Sequence, residues 1–302
     1  MLLFKTAQLL SGAATLELAA GQYSAFMLRV AGTNQAAQTL TVGNLGLINM
    51  KLAGRNYATV SFSDLQEINK IDLGQVESAS AVGAAFTFSA LILASRENDG
   101  NIFHVEPNKL SHIYVDLSGV TGTIVLNGTI ELYGIPQEGV QSYIPTMQTF
   151  APPVTSGGNY LLDLPVENLT QLYATTLTNL DRVQITRDGR IPVQASSAAI
   201  LAFSNMDARI EAAYTAAWRL DFHRSGALTE ALSDSCQVFL SATGGAAAPH
   251  LIACGLDFTP DEFKASSAAV QALGTARLAR KQQDRKGRPV EVARAALSLG
   301  SK

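Results

Sequence analysis

The residues of this 302-residue chain that could carry acid–base or metal chemistry are few and scattered. The four histidines stand apart from one another, with no spacing typical of a metal site: His104, His112, His223 and His250. Three aspartates could supply a cation site only if the fold gathered them, since their spacing does not predict one: Asp99, Asp116 and Asp221. The chain also lacks the GxxxxGK[ST], GxSxG and HExxH patterns. We therefore predict no catalytic residue, no metal and no cofactor.

Basic side chains concentrate at the C-terminal end of the chain. From residue 277 onward, eight basic residues stand against two acidic ones, a net charge of +6, whereas the whole chain carries −3. The candidate contact residues of this tail are Arg277, Arg280, Lys281, Arg285, Lys286 and Arg288. Such a difference between segments indicates a tail with a partner of its own. Since the rest of the chain is acidic, we expect no specific nucleic-acid partner.

Length and composition favour two domains that cover much of their surface in an assembly. Hydrophobic residues make up 47% of the chain and charged residues 16%, whereas ordinary soluble domains have about 25% charged residues. The N-terminus, MLLFKTAQLL, has no basic region ahead of an uninterrupted apolar core and makes a poor signal peptide. We therefore expect synthesis in the cytoplasm and reduced, buried thiols at Cys236 and Cys254.

Short alternating segments separated by Gly, Asn, Asp and Pro dominate the sequence and predict strands. Clear examples are Leu47–Leu52, His112–Leu117 and Ala217–Phe222. Within another such run, Asn127-Gly128 is expected to form a bulge or a tight turn. Many short strands separated by turns are typical of sandwiches or barrels and not of parallel α/β units. The fold class predicted is therefore all-β.

Two helices are expected among the strands. The segment Ser63–Asn69 begins with a Ser cap, and Ser197–Ala213 carries an apolar residue every third position, at Ile200, Phe203 and Met206. Prolines and a Gly pair cluster between the halves, and a capped helix start follows at Thr259-Pro260. These signals divide the chain into a first sandwich with an N-terminal arm (1–138), a linker (139–160), a second sandwich (161–258) and a basic helical C-terminal extension (259–302).

The two halves repeat one pattern at a spacing of 135 residues. An alternating strand ends in a tight turn in each half, and a short strand and a helix follow. The candidate structural turns are Gly54-Arg55 in the first half and Asp188-Gly189-Arg190 in the second. Each glycine supplies a positive φ without steric cost. The common order indicates a duplication; the alternative is that both glycines are ordinary hairpin residues of unrelated sandwiches.

With these turns, the chain resembles the double-jelly-roll major capsid proteins of tailless, membrane-containing phages, and in particular the corticovirus coat-protein family. The Gly-Arg turn present once per half carries the resemblance, together with the helix after each turn. The segments Leu161–Pro165 (LLDLP) and Trp218–Phe222 (WRLDF) carry it further. The similarity extends over residues ~20 to 258 as a pattern with few identities. The extension after Phe258 departs from it, because relatives of this type can end soon after the last strand.

The resemblance implies two tandem jelly-roll β-sandwiches per chain and a homotrimer of pseudo-hexagonal outline. Such trimers would tile an icosahedral virion shell over an internal membrane, beside neighbouring capsomers and with penton or minor capsid proteins as further partners. The basic tail would then either face an anionic component inside the shell or remain a solvated helix end or a disordered tail. A receptor- or carbohydrate-binding sandwich of the spike or lectin kind is the alternative function, and a β-rich hydrolase is a third class.

Overall fold

The structure is a computed structural model, and it describes the backbone over most of the chain up to Asp257. The described ranges are 2–9, 12–74, 76–96, 101–141, 143–151, 157–164, 169–177, 179–187, 190–206, 217–222, 236–244 and 249–257. The C-terminal extension and its six basic candidate residues lie outside these ranges. No helix within them is long and apolar enough to cross a membrane.

The first half of the chain supplies ten strands and one α-helix of the described structure. In chain order they are β1 (Leu2–Leu9), β2 (Gly12–Glu17), β3 (Gly21–Asn34), β4 (Leu47–Leu52), β5 (Arg55–Ser61), α1 (Phe62–Leu73), β6 (Ser78–Ala79), β7 (Ala85–Leu93), β8 (Phe103–Val105), β9 (His112–Leu117) and β10 (Val125–Pro136). A short 3₁₀ turn at Val42–Asn44 precedes β4.

The second half follows with the same succession of elements, except that its described residues contain no counterpart of β6 and β8. Its elements are β11 (Ile144–Phe150), β12 (Gly158–Leu164), β13 (Leu169–Thr175), β14 (Leu180–Arg187), β15 (Arg190–Ser196), α2 (Ser197–Ser204), β16 (Ala217–Asp221), β17 (Cys236–Ala242) and β18 (His250–Asp257). The segment 139–160, predicted as a linker, therefore contains β11 and the start of β12.

Within the described residues the strands form three sheets. A six-stranded sheet has the order β1-β10-β3-β7-β6, with β8 also paired to β3, and a four-stranded sheet has the order β12-β17-β14-β15. An eight-stranded sheet, β16-β13-β18-β11-β5-β4-β9-β2, runs through both halves. It is continuous because β11 pairs in parallel with β5, with Met147 opposite Ala58 and Gln148 opposite Thr59.

Each half is a two-sheet sandwich, and the two sandwiches have the same connectivity. The order β5-β4-β9-β2 of the first matches β15-β14-β17-β12 of the second, and β1-β10-β3-β7 matches β11-β18-β13-β16. The helices match as well, since Ser61 and Ser196 are the N-caps of α1 and α2 with identical φ of −69° and ψ of 150°. Two tandem jelly rolls are therefore present, as the family resemblance implied; we call them the first and second roll.

Two apolar cores fill the rolls. The second core lies inside the second roll and includes Leu172, Ala174 and Trp218, none of which is exposed to solvent. The first core fills the first roll but also includes residues of the second, among them Tyr173 and Ile252. Neighbouring residues of β13 thus belong to different cores, because successive side chains of a strand point to opposite faces.

Several local predictions have a clear outcome. The strands at Leu47–Leu52 and His112–Leu117 are confirmed residue for residue. The bulge is confirmed, because Asn127 has φ of 50° and the β10–β3 register shifts between Leu126 and Thr129. Both Cys236 and Cys254 are buried thiols.

The helix boundaries needed correction. The cap of α1 is Ser61 and not Ser63, since the Ser61 hydroxyl accepts a hydrogen bond from the Asp64 amide at 3.0 Å. The helix then runs to Leu73 and ends at Gly74 with φ of 82°, beyond the predicted Asn69. Helix α2 ends at Ser204, with Asn205 as its C-cap, although apolar periodicity predicted helix to Ala213. Residues 207–216 lie outside the described ranges.

Candidate functional site

The junction between the two rolls is the most chemically distinctive part of the described structure. Helix α1 of the first roll contacts β13 and β16 of the second. Two buried acidic residues lie on this helix, Asp64 in its first turn and Asp72 near its end. Because they are eight positions apart, their Cα atoms lie about 12 Å apart along the helix axis. Each carboxylate has partners in the second roll.

Asp72 is the centre of a buried ionic network. It forms an ion pair with Arg96, which follows β7, and its Oδ1 accepts a hydrogen bond from Arg219 Nη1 at 3.0 Å. The Tyr173 hydroxyl lies 3.0 and 3.1 Å from the two Asp72 oxygens, and 2.9 Å from Gln171 Oε1. The guanidinium of Arg96 also lies 5.7 Å from the centre of the Tyr173 ring. One carboxylate of the first roll thus binds two residues of the second.

The electrostatics of this network keep its groups in their ordinary charge states. Burial on its own lowers the pKa of Arg96, but the surrounding groups, first among them the Asp72 carboxylate, together outweigh burial and raise it. Burial and the Asp72 charge raise the pKa of Tyr173 well above its usual value, so its hydroxyl keeps its proton. Burial likewise raises the pKa of the Cys254 thiol to about 11. The Tyr173 hydroxyl and the Cys254 thiol therefore both keep their protons at neutral pH.

The second contact of the junction lies at Asp64. Its Oδ1 accepts a hydrogen bond from Thr175 Oγ1 at 2.8 Å, and His250 Nδ1 lies 3.2 and 3.1 Å from its two oxygens. Burial on its own raises the pKa of Asp64, but the hydrogen bonds from His250 and Ser61 outweigh burial and lower it. The hydrogen bond to Asp64 in turn raises the pKa of His250. This contact is strongest with Asp64 ionised and His250 protonated.

Each helix also covers the edge of a sheet, and in both cases one polar side chain of the helix hydrogen-bonds to the backbone amide and carbonyl of a single edge residue. The Asn69 side chain of α1 donates to the Leu91 carbonyl at 3.0 Å and accepts from the Leu91 amide at 2.6 Å. The Ser204 hydroxyl of α2 donates to the Arg219 carbonyl at 2.7 Å and accepts from the Arg219 amide at 3.0 Å. Asn69 and Ser204 are 135 positions apart, the spacing of the repeat. Satisfied edge groups cannot pair with another strand.

The chemistry of the junction is that of a structural contact. Its carboxylates and guanidiniums are paired with one another, as buried charges must be. Among the described residues, no group of three or more His, Cys, Asp or Glu side chains is placed to hold a metal ion. What the arrangement can do is fix the second roll to the first in one position, through two polar contacts and a shared apolar core.

The predicted turn residues lie at hairpin positions of the two rolls. Gly54 has φ of 83° and joins β4 to β5, which begins at Arg55. In the second roll, β14 ends at Arg187 and pairs there with Arg190, the first residue of β15. Asp188 and Gly189 lie outside the described residues, so the equivalence of the two glycines stays a prediction.

The structure brings few of the chemically interesting residues of the sequence together. His104 is exposed, and Asp116 accepts a hydrogen bond from the Ser118 amide at 2.9 Å in its own turn. Asp221 lies at the junction, 4.0 Å from Arg219, and His250 contacts Asp64. His112 is half-buried, and Asp99 and His223 lie outside the described residues.

Sequence reasoning missed the residues that form the junction. Asp72 lies in α1, Arg96 follows β7 and Tyr173 lies in β13, and nothing in their spacing connects them. One signal was present in the sequence: Arg219 is a basic residue that stands between the apolar residues Trp218 and Leu220 of one strand. A charge in such a strand needs a buried partner if both faces of the strand are covered.

No protein-family model matches the chain, and no curated protein matches it by sequence. A chain of the atomic structure of Sulfolobus Turreted Icosahedral Virus superposes with a TM-score of 0.69 at 13% identity, covering 93% of this chain and 97% of that one. The crystal structure of the STIV MCP gives 0.63 at 11% identity, covering 84% and 94%.

The major capsid protein P2 from Bacteriophage PM2 is similar to the chain to a comparable degree. Its TM-score is 0.58 at 13% identity, and the match covers 82% of this chain and 94% of that one. The chain has the double jelly-roll fold. These likenesses span nearly the whole length of the other chains, so the match includes both rolls.

Proposed function

We propose that the protein is the major capsid protein of an icosahedral virus. The observation that carries the proposal is the extent of the structural match: each of the three structures named above is matched over 94% to 97% of its length. Their names describe a major capsid protein of a phage and parts of a turreted icosahedral virus. A fold alone does not determine function, but these chains are matched here over nearly their whole length, both rolls included.

The architecture suits a shell protein for a geometric reason. Two rolls of equal connectivity in one chain give six similar units when three chains assemble, so a homotrimer acquires a pseudo-hexagonal outline. Such trimers tile flat facets with neighbouring capsomers and leave the vertices to penton or minor capsid proteins. The site of action is then the virion shell, after synthesis in the host cytoplasm, and the function requires no catalytic residue or cofactor.

The receptor- or carbohydrate-binding alternative is not favoured. Carbohydrate-binding sandwiches present aromatic side chains to the ligand, and Trp218 is the only tryptophan of the chain. Its side chain is fully buried in the second core, and its Nε1 donates to Ser197 Oγ at 3.2 Å. This tryptophan packs the core and cannot contact a sugar.

The basic tail is proposed to face an anionic component inside the shell, such as the internal membrane. The last described strand, β18, ends at Asp257 opposite Ile144, the first residue of β11. Because β11 is parallel to β5, this is the end of the rolls at which Arg55 and the Gly54 turn lie. The described part of the chain therefore ends at that end of the double roll, and basic residues near an anionic surface contribute about 1 kcal/mol each.

Electron microscopy of the purified protein tests the capsid function. Negative-stain images should show particles of hexagonal outline, and sedimentation should give three times the 31.9 kDa chain mass. A stable monomer at micromolar concentration, with affinity for glycans, would contradict the proposal and support the alternative.

A charge-neutral tail variant tests the membrane contact independently. Glutamine at Arg277, Arg280, Lys281, Arg285, Lys286 and Arg288 should abolish co-sedimentation with anionic liposomes at low salt. The matched control, Lys281→Arg with Lys286→Arg, keeps the charge and should bind like the wild type. Wild-type binding should also weaken as salt screens the surface. Unchanged binding by the glutamine variant would contradict a role of these residues.

A further inference from the structure

Two loops of the first roll each carry an apolar side chain that is exposed to solvent. Leu110 lies between β8 and β9, and Val140 lies in the connection between β10 and β11. Leu110 is 70% exposed and Val140 is 73% exposed. Because Leu and Val side chains gain free energy on leaving water, both loops are suited to an apolar contact.

The loop that carries Leu110 is held beside the Gly54 turn. The Ser111 hydroxyl accepts a hydrogen bond from the Ala53 amide at 3.0 Å, and the Ser111 carbonyl accepts one from the Leu18 amide at 3.0 Å. Ser111 itself is only 3% exposed. The exposed leucine therefore stands directly beside an anchored residue.

The loop that carries Val140 lies at the same end of the roll. The side chain of the next residue, Gln141, donates a hydrogen bond to the Tyr57 hydroxyl at 3.1 Å. Tyr57 is the third residue of β5, which starts at Arg55 directly after the Gly54 turn. Both exposed side chains thus lie at one end of the first roll.

The described part of the chain also stops at this end. Strand β18 ends at Asp257 opposite Ile144, the first residue of β11, and β11 runs parallel to β5. The sequence that follows carries a net charge of +6 from residue 277 onward. Single exposed apolar side chains are common on protein surfaces, but these two lie at the end that also holds the last residue described before the basic segment.

Charged side chains accompany the two apolar ones. Arg55 and Lys109 are exposed, and Lys109 Nζ lies 2.8 Å from Glu106 Oε2. Glu138, two residues before Val140, is exposed as well. These two positive and two negative charges cancel, so the loops have little electrostatic attraction of their own to an anionic surface. Their contribution to such a contact must come from the apolar side chains.

The opposite end of the first roll offers a natural control position. In β3, Tyr23 pairs with Pro136, the last residue of β10, whereas Asn34 lies eleven residues further along the strand, about 36 Å away. The Asn34 side chain donates a hydrogen bond at 2.8 Å to the carbonyl of the residue before Val82. Val82 is 64% exposed, and the loop at residues 35–46 beside it contains no Lys or Arg.

We propose that Leu110 and Val140 insert into the surface layer of an anionic lipid bilayer while the basic tail binds its headgroups. The inference rests on the proposed capsid function over an internal membrane, and it adds a contact that the first roll itself makes. Salt screens the attraction between the tail and the headgroups, whereas it does not screen the transfer of apolar side chains out of water. Peripheral attachment to a membrane is stable when an apolar insertion is combined with a basic segment.

Added tryptophans test the insertion directly. Full-length Leu110→Trp, mixed with vesicles of phosphatidylcholine and phosphatidylglycerol, should shift its fluorescence to shorter wavelength and be quenched by brominated lipid chains, because indole rings settle at the membrane interface. The only native tryptophan, Trp218, is fully buried and gives a constant background. The matched control Val82→Trp should show neither change. Val140→Trp replaces the Leu110 variant if circular dichroism shows that variant to be misfolded.

High salt separates the apolar contact from the tail. The wild type should keep residual vesicle binding at high salt, and Leu110→Ser/Val140→Ser should lower that partition coefficient by about tenfold or more. The matched control Val82→Ser should bind like the wild type. Equal residual binding by the wild type and the double serine variant would overturn the apolar contact.

The fluorescence result can also overturn the proposal without touching the capsid function. If Leu110→Trp sediments with vesicles but shows no spectral shift, the tail is the only contact. Equal shifts in Leu110→Trp and Val82→Trp would show that binding has no preferred end. A wild type that does not bind these vesicles at low salt overturns both membrane contacts. In each case hexagonal particles in negative stain leave the capsid function standing, and only a stable monomer contradicts it.

Discussion

Replacing Asp72 by Asn should destabilise the protein more than almost any other single polar substitution. The Asp72 side chain is 5% exposed, and its partners Arg96 and Arg219 are 8% and 6% exposed. The amide keeps the size of the carboxylate but removes its charge, so two buried guanidiniums lose the counterion between them. The Tyr173 hydroxyl also loses a charged acceptor, although Gln171 remains within 2.9 Å.

The magnitude follows from the cost of an uncompensated buried charge. Removing one partner of a buried ion pair costs about 3–5 kcal/mol, and here two guanidiniums share the carboxylate. The neighbouring Asp221, 4.0 Å from Arg219, offsets part of the loss on one side only. We therefore expect a loss of about 3–5 kcal/mol in the free energy of unfolding.

Urea denaturation at fixed protein concentration measures this loss as a shift of the midpoint. The matched control is Glu67→Gln on the same helix, which removes a half-exposed ion pair with Lys70 and should cost under about 0.5 kcal/mol. The double variant Asp72→Asn/Arg219→Met should recover part of the loss, because it removes one of the two uncompensated charges. An Asp72→Asn variant that loses less than about 1 kcal/mol would refute the argument that the junction depends on its ionic network.

Three further outcomes follow from the described contacts. Because Asp64 raises the pKa of His250, the stability this contact provides is complete below the ordinary histidine pKa and is lost as pH rises through the raised value. The melting temperature should therefore depend on pH between 5 and 9 in the wild type and lose that dependence in His250→Gln. A pH dependence that survives the substitution would contradict this. Gly54→Ala should lower the free energy of unfolding by about 1 kcal/mol, because Gly54 has φ of 83°. The control Gly122→Ala, at a glycine with open space around it, should leave the melting temperature unchanged. Equal effects of the two substitutions would exclude backbone strain at Gly54. Ser204→Ala removes the two hydrogen bonds between its hydroxyl and the Arg219 backbone at the edge of β16, so hydrogen exchange at that edge should accelerate with a loss of about 1–3 kcal/mol. Unchanged protection would show that the hydroxyl is dispensable.

Much of the fold was predictable because it depends on local pattern. Strands such as Leu47–Leu52 alternate apolar and polar residues, and one covered face is enough to require that alternation. The bulge at Asn127-Gly128 was predictable for a similar reason, since Asn and Gly tolerate a positive φ. The error at the start of α1 was also local, because Ser61 and Ser63 are both acceptable caps and only the hydrogen bond to the Asp64 amide distinguishes them.

The sequence by itself determined that the chain contains two similar sandwiches, through the repeat of turn, strand and helix at a spacing of 135 residues. Only the tertiary structure decided how they join. Tyr173 and Arg219 lie in strands whose side chains alternate between the two faces, and their positions alone predict side chains that point away from the core of the roll into water. Helix α1, a hundred residues or more away in the sequence, covers that face and supplies Asp72 as the partner of both. A pattern within one strand reports which residues share a face, but what covers that face is set by elements remote in sequence.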